Sequence, residues 1–432
     1  MQLGEGCGIG IDFGTTNSVV AVASANGHVE CMKVECMTWP TAFGPTDTFR
    51  SALMFWREAR KLTHVAGPEA IACAIAADRE QRFVQSLKSH LASRLFSETR
   101  LFGERLTIEE LVAIFLRHLL QDLAPDNLSA VPVTGGRPVV FAGDRADEGL
   151  AIERLTSAYA ASGLRQIAFA YEPLGAAYWY ARALTRDETV LVADFGGGTS
   201  DFSVLRFTSK GRGVEAKALA HAGVGIAGDT FDYRIIDHVV APRLGKGTTY
   251  RSLEKLLPMP AYFYAAFAQW HQLSWLKSAQ TLAELKALAA ASLVPHMIED
   301  LITIVEMDLG FELHRTVGAL KAELSHAPQA HFVFQKEGVS IEADVSRSDF
   351  DSWIAADLDK IAATMDAAVA GAGLAAGDID AVFMTGGTSF VPAVRRIFSA
   401  RFAEARIHYG DAFQSVASGL ALMAADRATR ES

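Results

Sequence analysis

Segments with strand-like polarity alternate with segments of helical periodicity through the first half of the chain. Residues 108–123 carry Leu, Ile and Phe on one helical face, and Thr107 and Glu110 have the spacing of a capping box. A further helix predicted over 146–162 is followed by a short apolar strand at 167–170. Such an alternation of strands and helices predicts an α/β fold.

The same reasoning gives expectations for the rest of the chain. A helix-rich region is expected over 255–328, with a long helix at 293–326. The other predicted elements are a strand at 139–141, a helix at 230–240, a hairpin from 332–334 and 339–343, a helix from 348 to about 370, a strand at 380–384 and a last helix at about 413–425.

One glycine-rich turn lies between two predicted strands. The chain reads A-D-F-G-G-G-T-S-D over 193–201, after the apolar run 189–192 and before the alternating run 202–207. Three consecutive glycines let backbone N–H groups approach an anion closely. Asp194 and Asp201 repel a phosphate, but they suit a hydrated divalent cation that accompanies a polyphosphate.

A second copy of this pattern lies near the N-terminus. Residues 8–22 read G-I-G-I-D-F-G-T-T-N-S-V-V-A-V, so the letters D-F-G at 12–14 recur at 194–196, about 180 residues later. Each copy is an apolar strand, a small polar turn and a second apolar strand. Two related hairpins predict two related halves of the molecule.

Two more glycine motifs follow the second hairpin. The sequence T-G-G-T-S at 385–389 comes after a predicted strand, and Pro392 opens a helix, which is a niche sized for an anion or a ribose. Residues 223–228 have the spelling G-x-G-x-x-G of a dinucleotide site. No acidic residue caps the next strand, so we expect this loop to pass close to the same phosphates instead.

Composition narrows the class of protein. Half of the 432 residues are hydrophobic and 21% are charged, which is typical of a globular chain. The net charge of −10 argues against a general nucleic-acid binder. Neither a membrane span nor a secretory signal is evident, so we expect a cytoplasmic protein. The four cysteines are too irregular for a disulfide framework, and Cys31-x4-Cys36 lacks a second pair for a metal.

Together the turns D-F-G-T-T, D-F-G-G-G-T-S-D and T-G-G-T-S resemble the phosphate-one, phosphate-two and adenosine motifs of the actin-like ATPase superfamily. The details resemble most the seventy-kilodalton heat-shock chaperones, whose connecting motif is similar to Y-E-P-L-G-A-A at 171–177. The resemblance extends from about residue 8 to 425. Neither the linker nor the peptide-binding domain of the usual chaperone is found before Ser432, so the chain resembles the short bacterial proteins of the YegD type.

The resemblance implies an α/β, actin-like ATPase fold with two related lobes, a central nucleotide cleft and a subdomain inserted in each lobe. The expected plan has the lobe I core at 1–39 and 108–188, its inserted subdomain at 40–107, the lobe II core at 189–228 and 348–427, and a helical subdomain at 229–347.

The resemblance also implies hydrolysis of ATP to ADP by in-line attack of water on the γ-phosphate. Asp12 and Asp194 would hold Mg²⁺ through its water shell. Lys88, in the segment S-L-K-S, would offset charge on the γ-phosphoryl oxygens. Glu172 would act as a base or as a partner of Mg²⁺-bound water.

Thr199 and Asp201 would face the attacking water. The residues implied to bind ATP or ADP are Gly14, Thr15, Thr16, Asn17, Gly196, Gly197, Gly198, Thr199, Gly228, Lys321, Ser325, Gly386, Gly387, Thr388 and Phe390.

Three positions depart from the family's pattern. Pro138 has the context G-R-P-V-V-F rather than that of the family's switch proline. Phe390 stands near the position of an arginine that stacks on adenine, so the cationic contribution of about 0.5–2 kcal/mol is expected to be absent. Gly318 replaces a glutamate on the adenosine side. We expect ATP binding to survive with weaker or less selective recognition of the base.

The favoured function is that of a chaperone-like, slowly hydrolysing ATPase, a monomer whose lobes open and close for a co-chaperone or client protein. A sugar-type kinase is an alternative, with Asp144 or Asp147 as its catalytic aspartate. The others are a filament-forming actin-like protein, with contacts made or blocked by the insert 242–310, and a degenerate pseudo-ATPase.

Overall fold

A computed structural model describes residues 6–33, 39–41, 44–46, 48–76, 80–123, 128–143, 145–182, 184, 186–210, 213–268, 276–307, 309–410 and 414–431. The chain forms two compact units. The first comprises Met1–Pro40, Pro45–Gly228 and Leu358–Ser432, and the second comprises Thr41–Gly44 and Asp229–Asp357. Among the described residues, no helix combines the length and the apolar character needed to cross a membrane.

The secondary structure is mixed. The strands are β1 (Gly8–Phe13), β2 (Asn17–Ala23), β3 (Val29–Cys31), β4 (Trp39–Thr41), β5 (Gly44–Thr46), β6 (Phe49–Arg50), β7 (Ala52–Glu58), β8 (Lys61–Ala66), β9 (Gln81–Gln85), β10 (Glu98–Leu101), β11 (Glu104–Thr107), β12 (Val133–Arg137), β13 (Ile167–Tyr171), β14 (Glu188–Phe195), β15 (Ser200–Lys210), β16 (Gly213–Val224), β17 (Thr249–Ser252), β18 (Lys255–Pro258), β19 (Gln329–Lys336), β20 (Val339–Ser346), β21 (Ala381–Thr385) and β22 (Ile407–Tyr409). The helices are α1 (Gly67–Ala76), α2 (Ile108–Leu119), α3 (Glu148–Ala161), α4 (Glu172–Ala181), α5 (Gly228–Ile235), α6 (Ala261–Phe267), α7 (Ala279–Ala291), α8 (Pro295–Glu306), α9 (Gly310–His326), α10 (Arg347–Gly371), α11 (Pro392–Ser399) and α12 (Ser415–Glu431).

Two sheets of the first unit share one topology. The first has the order β13-β12-β1-β2-β3, with β6 also paired to β2, and the second has the order β16-β15-β14-β21-β22. In each sheet an antiparallel hairpin, β1–β2 or β14–β15, is extended by a third antiparallel strand on one side and by parallel strands on the other. The predicted α/β fold with two related halves is therefore confirmed.

The sequence of β1, G-I-G-I-D-F, reflects the different packing on the two faces of the strand. Its Ile9, Ile11 and Phe13 are buried in a core that includes residues of α2. Its glycines face the other way, where α12 lies so close that a Cβ on Gly10 would be 2.1 Å from the carbonyl oxygen of Ala417. Side chains of a strand point alternately to its two faces, so one face of β1 is bulky and the other is bare. The bare face lets the helix backbone pack directly on the strand.

One predicted strand is misplaced. The ladder runs over Val133–Arg137, and the expected strand at 139–141 is irregular. Pro138 has no N–H to continue the ladder, so the strand ends before it. Gly135 lies in this strand and not in a turn. A Cβ there would lie 2.8 Å from the Phe169 ring, so the strand has no room for a side chain at this position. Glycine in a strand here marks close packing.

Helix bounds also differ from expectation. The predicted single helix over 293–326 is two helices, α8 and α9, and the helix expected at 230–240 is α5 followed by a π-helical turn at Ile236–Val240. The capping box of Thr107 and Glu110 is confirmed at the start of α2. The β19–β20 hairpin lies where it was predicted, with both strands longer than expected.

The second unit has its own core and ion pairs. Phe231 packs edge-on against Phe350, and both are buried. The Arg234 guanidinium donates two hydrogen bonds to the Asp357 carboxylate. This pairing of a planar fork with a buried carboxylate fixes α5 against the first half of α10.

Candidate nucleotide-binding site

The two hairpins carry their aspartates at equivalent positions of their ladders. Asp12 is paired with Val19 and is followed by the last pair of the β1–β2 ladder; Asp194 is paired with Asp201 and is followed by the last pair of the β14–β15 ladder. The Gly14 turn is so tight that a Cβ would lie 2.0 Å from the carbonyl oxygen of Asn17. Each ladder thus delivers one carboxylate to the mouth of a glycine turn.

The two turns face each other within the first unit. A Cβ on Gly198 would lie 3.6 Å from the Thr15 hydroxyl oxygen. In the second turn the Gly196 N–H donates to the carbonyl oxygen of Thr199 at 2.9 Å. The structure therefore brings together two motifs that are far apart in the sequence.

A buried ion pair lies beside these turns. Lys88 Nζ is 2.5 Å from Glu172 Oε1, and the two residues are 9% and 6% exposed. Lys88 lies in a one-turn 3₁₀ helix at Leu87–His90, and Glu172 is the first residue of α4. Gly136 on β12 leaves room for Glu172, because a Cβ there would be 3.0 Å from its Cγ.

Negative charge exceeds positive charge in this cluster. Burial raises the pKa of Asp12 to about 7, with Glu172 adding to the shift and Lys88 opposing it. Burial and the charges of Glu172, Asp12 and Asp201 raise the pKa of Asp194 well above its usual range, again against Lys88. Burial lowers the pKa of Lys88, but the carboxylates of Glu172, Asp12 and Asp194 outweigh it, and the net shift is upward. Carboxylates in this state favour a neighbouring cation.

Asp201 accepts hydrogen bonds from the backbone that follows β12. One carboxylate oxygen accepts hydrogen bonds from the N–H groups of Val139 and Val140, at 2.9 and 3.2 Å. The other accepts from the Thr199 hydroxyl at 2.8 Å. Burial and Glu172 raise the pKa of Asp201 to about 7, against the hydrogen bonds that lower it. The segment after Pro138 is thus tied to the second hairpin.

The third glycine turn packs on the second hairpin. Gly386 has a φ of +86°, and a Cβ there would lie 2.0 Å from the carbonyl oxygen of Phe195. The Thr388 hydroxyl donates to the carbonyl oxygen of Gly196 at 3.4 Å. Because β14, β21 and β22 are parallel, this turn lies at the carboxyl edge of the sheet, where α/β proteins bind ligands.

A cation accompanies Phe390, contrary to the expectation from the sequence. The Arg395 guanidinium lies 5.3 Å from the centre of the Phe390 ring and 4.2 Å from that of Tyr409. Its Nε donates to the carbonyl oxygen of Ser389 at 3.0 Å. Sequence reasoning missed both residues. Arg395 could have been found from the sequence, because it lies one turn into the helix that Pro392 opens. Tyr409 could not, because its position depends on the pairing of β22 with β21.

The remaining predicted residues are divided between the units. Gly228 begins α5 in the first unit, whereas Lys321 and Ser325 lie on α9 in the second. Lys321 forms an ion pair of 2.8 Å with Asp232. The Ser325 hydroxyl donates to the carbonyl oxygen of Lys321 at 3.2 Å. Their part in binding the nucleotide stays a prediction.

Neither proposed alternative site is supported by the described residues. Asp147 caps α3 by accepting from the Leu150 N–H, and it also accepts from the Arg94 guanidinium. Asp144 and Cys36 lie outside the described residues. In the described part of the chain no three His, Cys, Asp or Glu side chains are grouped to bind a metal directly.

A comparison with protein families decides the relationship. The family model described as Hsp70 protein matches residues 87–250 and 306–428, which is more than half of the chain. The protein belongs to the Hsp70 family. Members of this family are ATP-binding, chaperone-type ATPases that bind ATP or ADP with Mg²⁺. The match includes Lys88, Glu172, the second hairpin and the third turn.

Proposed function

We propose that this Hsp70-family protein binds Mg-ATP between its two glycine hairpins and hydrolyses it slowly. One observation carries the proposal: a buried Lys88–Glu172 pair lies among Asp12, Asp194 and Asp201, beside two glycine turns that face each other. A buried cluster with more carboxylates than ammonium groups is costly unless a cation joins it.

The residues fit a magnesium ion that keeps its water shell. Asp12 and Asp194 are the carboxylates that would hold it, since both have raised pKa values and each lies one pair before the end of a hairpin ladder. Mg²⁺ dehydrates reluctantly and is held in nucleotide sites by one or two carboxylates and by phosphates. When bound, it neutralises charge on the phosphate oxygens.

Backbone and side-chain groups of the protein would bind the phosphates, stabilise their charge and orient the attacking water. Backbone N–H groups of Gly14–Asn17 and Gly197–Thr199 would receive the phosphates, whereas the Gly196 N–H closes the second turn by its bond to Thr199. The Lys88 ammonium would stabilise charge on the γ-phosphoryl oxygens, and Glu172 would hold that ammonium in place and orient the attacking water. Thr199 would face the attacking water. Asp201, which the resemblance also placed there, would instead fix the Thr199 hydroxyl with its carboxylate.

The base would lie on the third turn. Gly386, Gly387 and Thr388 would border the ribose, and the Phe390 ring with the Arg395 guanidinium would stack on the base. Gly228 would border the adenosine side, and the resemblance to the family implies a part in adenosine binding for Lys321 and Ser325.

We infer that the output of hydrolysis is a change between the two related halves, read by a co-chaperone or client protein. Asp201 supports this inference because it joins the second hairpin to the backbone after Pro138, so a change at the γ-phosphate would reach both halves. We further propose a monomeric, cytoplasmic protein related to the short YegD type.

The test is ATP binding and turnover with Mg²⁺ or EDTA, in the presence of candidate sugars or unfolded peptides. The proposal predicts Mg²⁺-dependent binding and slow phosphate release that sugars leave unchanged. ADP release that depends on a sugar would instead support the kinase alternative, and nucleotide-dependent pelleting would support a filament.

A further inference from the structure

A buried arginine lies behind the turn that carries Lys88. Arg154, on α3, is 5% exposed. Its Nη1 donates to three backbone carbonyl oxygens, those of His90 at 3.2 Å, Leu91 at 2.9 Å and Ser93 at 3.0 Å. Its Nε lies 3.3 Å from Glu109 Oε1, so a carboxylate on α2 balances the charge.

These carbonyl groups belong to a turn that begins at a residue with unfavourable backbone geometry. The 3₁₀ helix Leu87–His90 follows Ser86, a non-glycine residue with a left-handed φ of +55°. Within the segment, N–H groups donate to the carbonyl oxygens three residues earlier: Ser89 to Ser86 at 3.0 Å, Leu91 to Lys88 at 3.3 Å and Ser93 to His90 at 3.1 Å. Left-handed backbone is unfavourable for a residue with a Cβ and persists only where the surroundings fix it.

The first turn of α3 holds the same segment at a second point. The Asp147 N–H donates to the carbonyl oxygen of Ala92 at 3.0 Å. The Asp147 carboxylate accepts from the Arg94 guanidinium, which is exposed. The outer contact is accessible to water, whereas the inner one, at Arg154, is shielded from it and is therefore the stronger constraint.

We propose that Arg154 is a positioning residue, whose guanidinium fixes the turn at 87–94 and thereby holds the Lys88 ammonium against Glu172. It acts through backbone carbonyls and does not touch the nucleotide. Its effect on turnover rests on the proposed function, but its effect on the placement of Lys88 does not.

The first test measures Lys88 directly, without nucleotide. An amine-acylating reagent at fixed pH, read by peptide mass spectrometry, should label Lys88 slowly because it is buried in an ion pair. Arg154→Ala should raise the labelling of Lys88 relative to exposed Lys61 by about tenfold or more, as expected when buried carbonyl groups lose their donor. Glu153→Ala, an exposed neighbour on the same helix, should leave the ratio unchanged.

Chemical rescue separates positioning from general damage. A surface hollow of about 510 Å³, lined by Arg94, Asp147, Leu150, Glu153 and Arg154, gives access to the truncated site. Guanidinium at tens of millimolar should restore protection of Lys88 in Arg154→Ala, and urea at the same concentration should not. If Arg154→Ala does not fold, as judged by circular dichroism, Arg154→Lys takes its place and should show a smaller rise in labelling.

The second test uses turnover. Arg154→Ala should lower kcat and leave the KM for ATP unchanged, and it should cause no further loss in a Lys88→Ala background. Unchanged Lys88 labelling in a folded variant, or equal losses in both backgrounds, would overturn the proposal. Absence of Mg-ATP turnover in the unaltered protein would count against the proposed function alone, since the labelling result still decides the role of Arg154.

Discussion

Lys88 is surrounded by more negative charge than one ammonium group neutralises. Its direct partner is Glu172, and Asp12 and Asp194 also raise its pKa. The ammonium therefore stays protonated and donates hydrogen bonds without acting as a base. This is the state required of a group that stabilises phosphoryl oxygens.

Replacement of Lys88 tests this role. Lys88→Ala should retain Mg-ATP binding and lose about 10²–10³-fold in kcat, the usual cost of removing one preorganised electrostatic donor. Single-turnover phosphate release together with a nucleotide-binding titration measures both quantities. Lys61→Ala, which removes an exposed lysine, is the control and should behave as the unaltered protein does. Retained hydrolysis in Lys88→Ala would show that the lysine assignment is wrong.

The raised carboxylate pKa values predict a pH effect in the nucleotide-free protein. The pKa of Asp12 is about 7 in the folded state against 3.8 ordinarily, so the folded state binds more protons between about pH 4 and 7. Asp12 therefore lowers the free energy of unfolding, and so destabilises the protein, progressively as the pH rises through that window. Relative to the unaltered protein, Asp12→Asn should gain thermal stability between pH 5 and pH 7.5. A constant difference across this range would contradict the shift.

Base recognition is tested at Arg395. Arg395→Ala should weaken ATP binding about 2- to 30-fold, which corresponds to a cation–π contribution of about 0.5–2 kcal/mol. Binding of Mg-tripolyphosphate, which has no base, should not change. The control is Arg396→Ala, its exposed neighbour on α11. Equal weakening for both ligands would place Arg395 at the phosphates instead of the base.

At the scale of elements, the site depends on how closely α12 approaches β1. Gly8 and Gly10 face α12, and a Cβ on either would lie 2.1 Å from backbone atoms of that helix. Asp12 follows on the same strand. The contact that fixes the strand is thus adjacent to the carboxylate that the strand presents.

Gly10→Ala should accordingly destabilise the protein by about 1–3 kcal/mol or more, since the added methyl group meets backbone atoms that cannot rotate away. Urea unfolding followed by circular dichroism measures the change. Gly149→Ala is the matched control, because a Cβ there would be 3.5 Å from Asp147 Oδ1, an ordinary contact. A smaller loss for Gly10→Ala than for Gly149→Ala would contradict the packing described above.

The sequence predicted local features better than contacts between distant elements. The two hairpins were recognisable because D-F-G recurs between apolar runs, and the start of α2 because Thr107 and Glu110 cap it. The strand Val133–Arg137 was missed because its two glycines resemble a turn. They are in the strand because Phe169 and Glu172 occupy the space, and no local pattern reports that.

At the scale of the whole molecule, the repeated hairpin correctly predicted two sheets of equal topology. Lys88 and Glu172 were identified by resemblance, but their pairing depends on the placement of a 3₁₀ turn against α4. The sequence did not predict the roles of Arg154 and Arg395, because their partners lie on other elements. Arg154 contacts the carbonyl oxygen of Leu91, and Arg395 contacts the ring of Tyr409. A single arginine on a helix has no pattern that distinguishes it from a surface residue.

The proposed Mg-ATP site is tested most directly by replacing Asp194, the carboxylate of the second hairpin. Asp194→Asn and the control Asp366→Asn, which removes a carboxylate from an exposed ion pair with Arg401, are compared in Mg²⁺-dependent ATP turnover. Asp194→Asn should abolish turnover and remove the Mg²⁺ dependence of ATP binding, whereas Asp366→Asn should keep both. Unchanged Mg²⁺-dependent turnover in Asp194→Asn would show that the paired glycine hairpins do not form the Mg-ATP site.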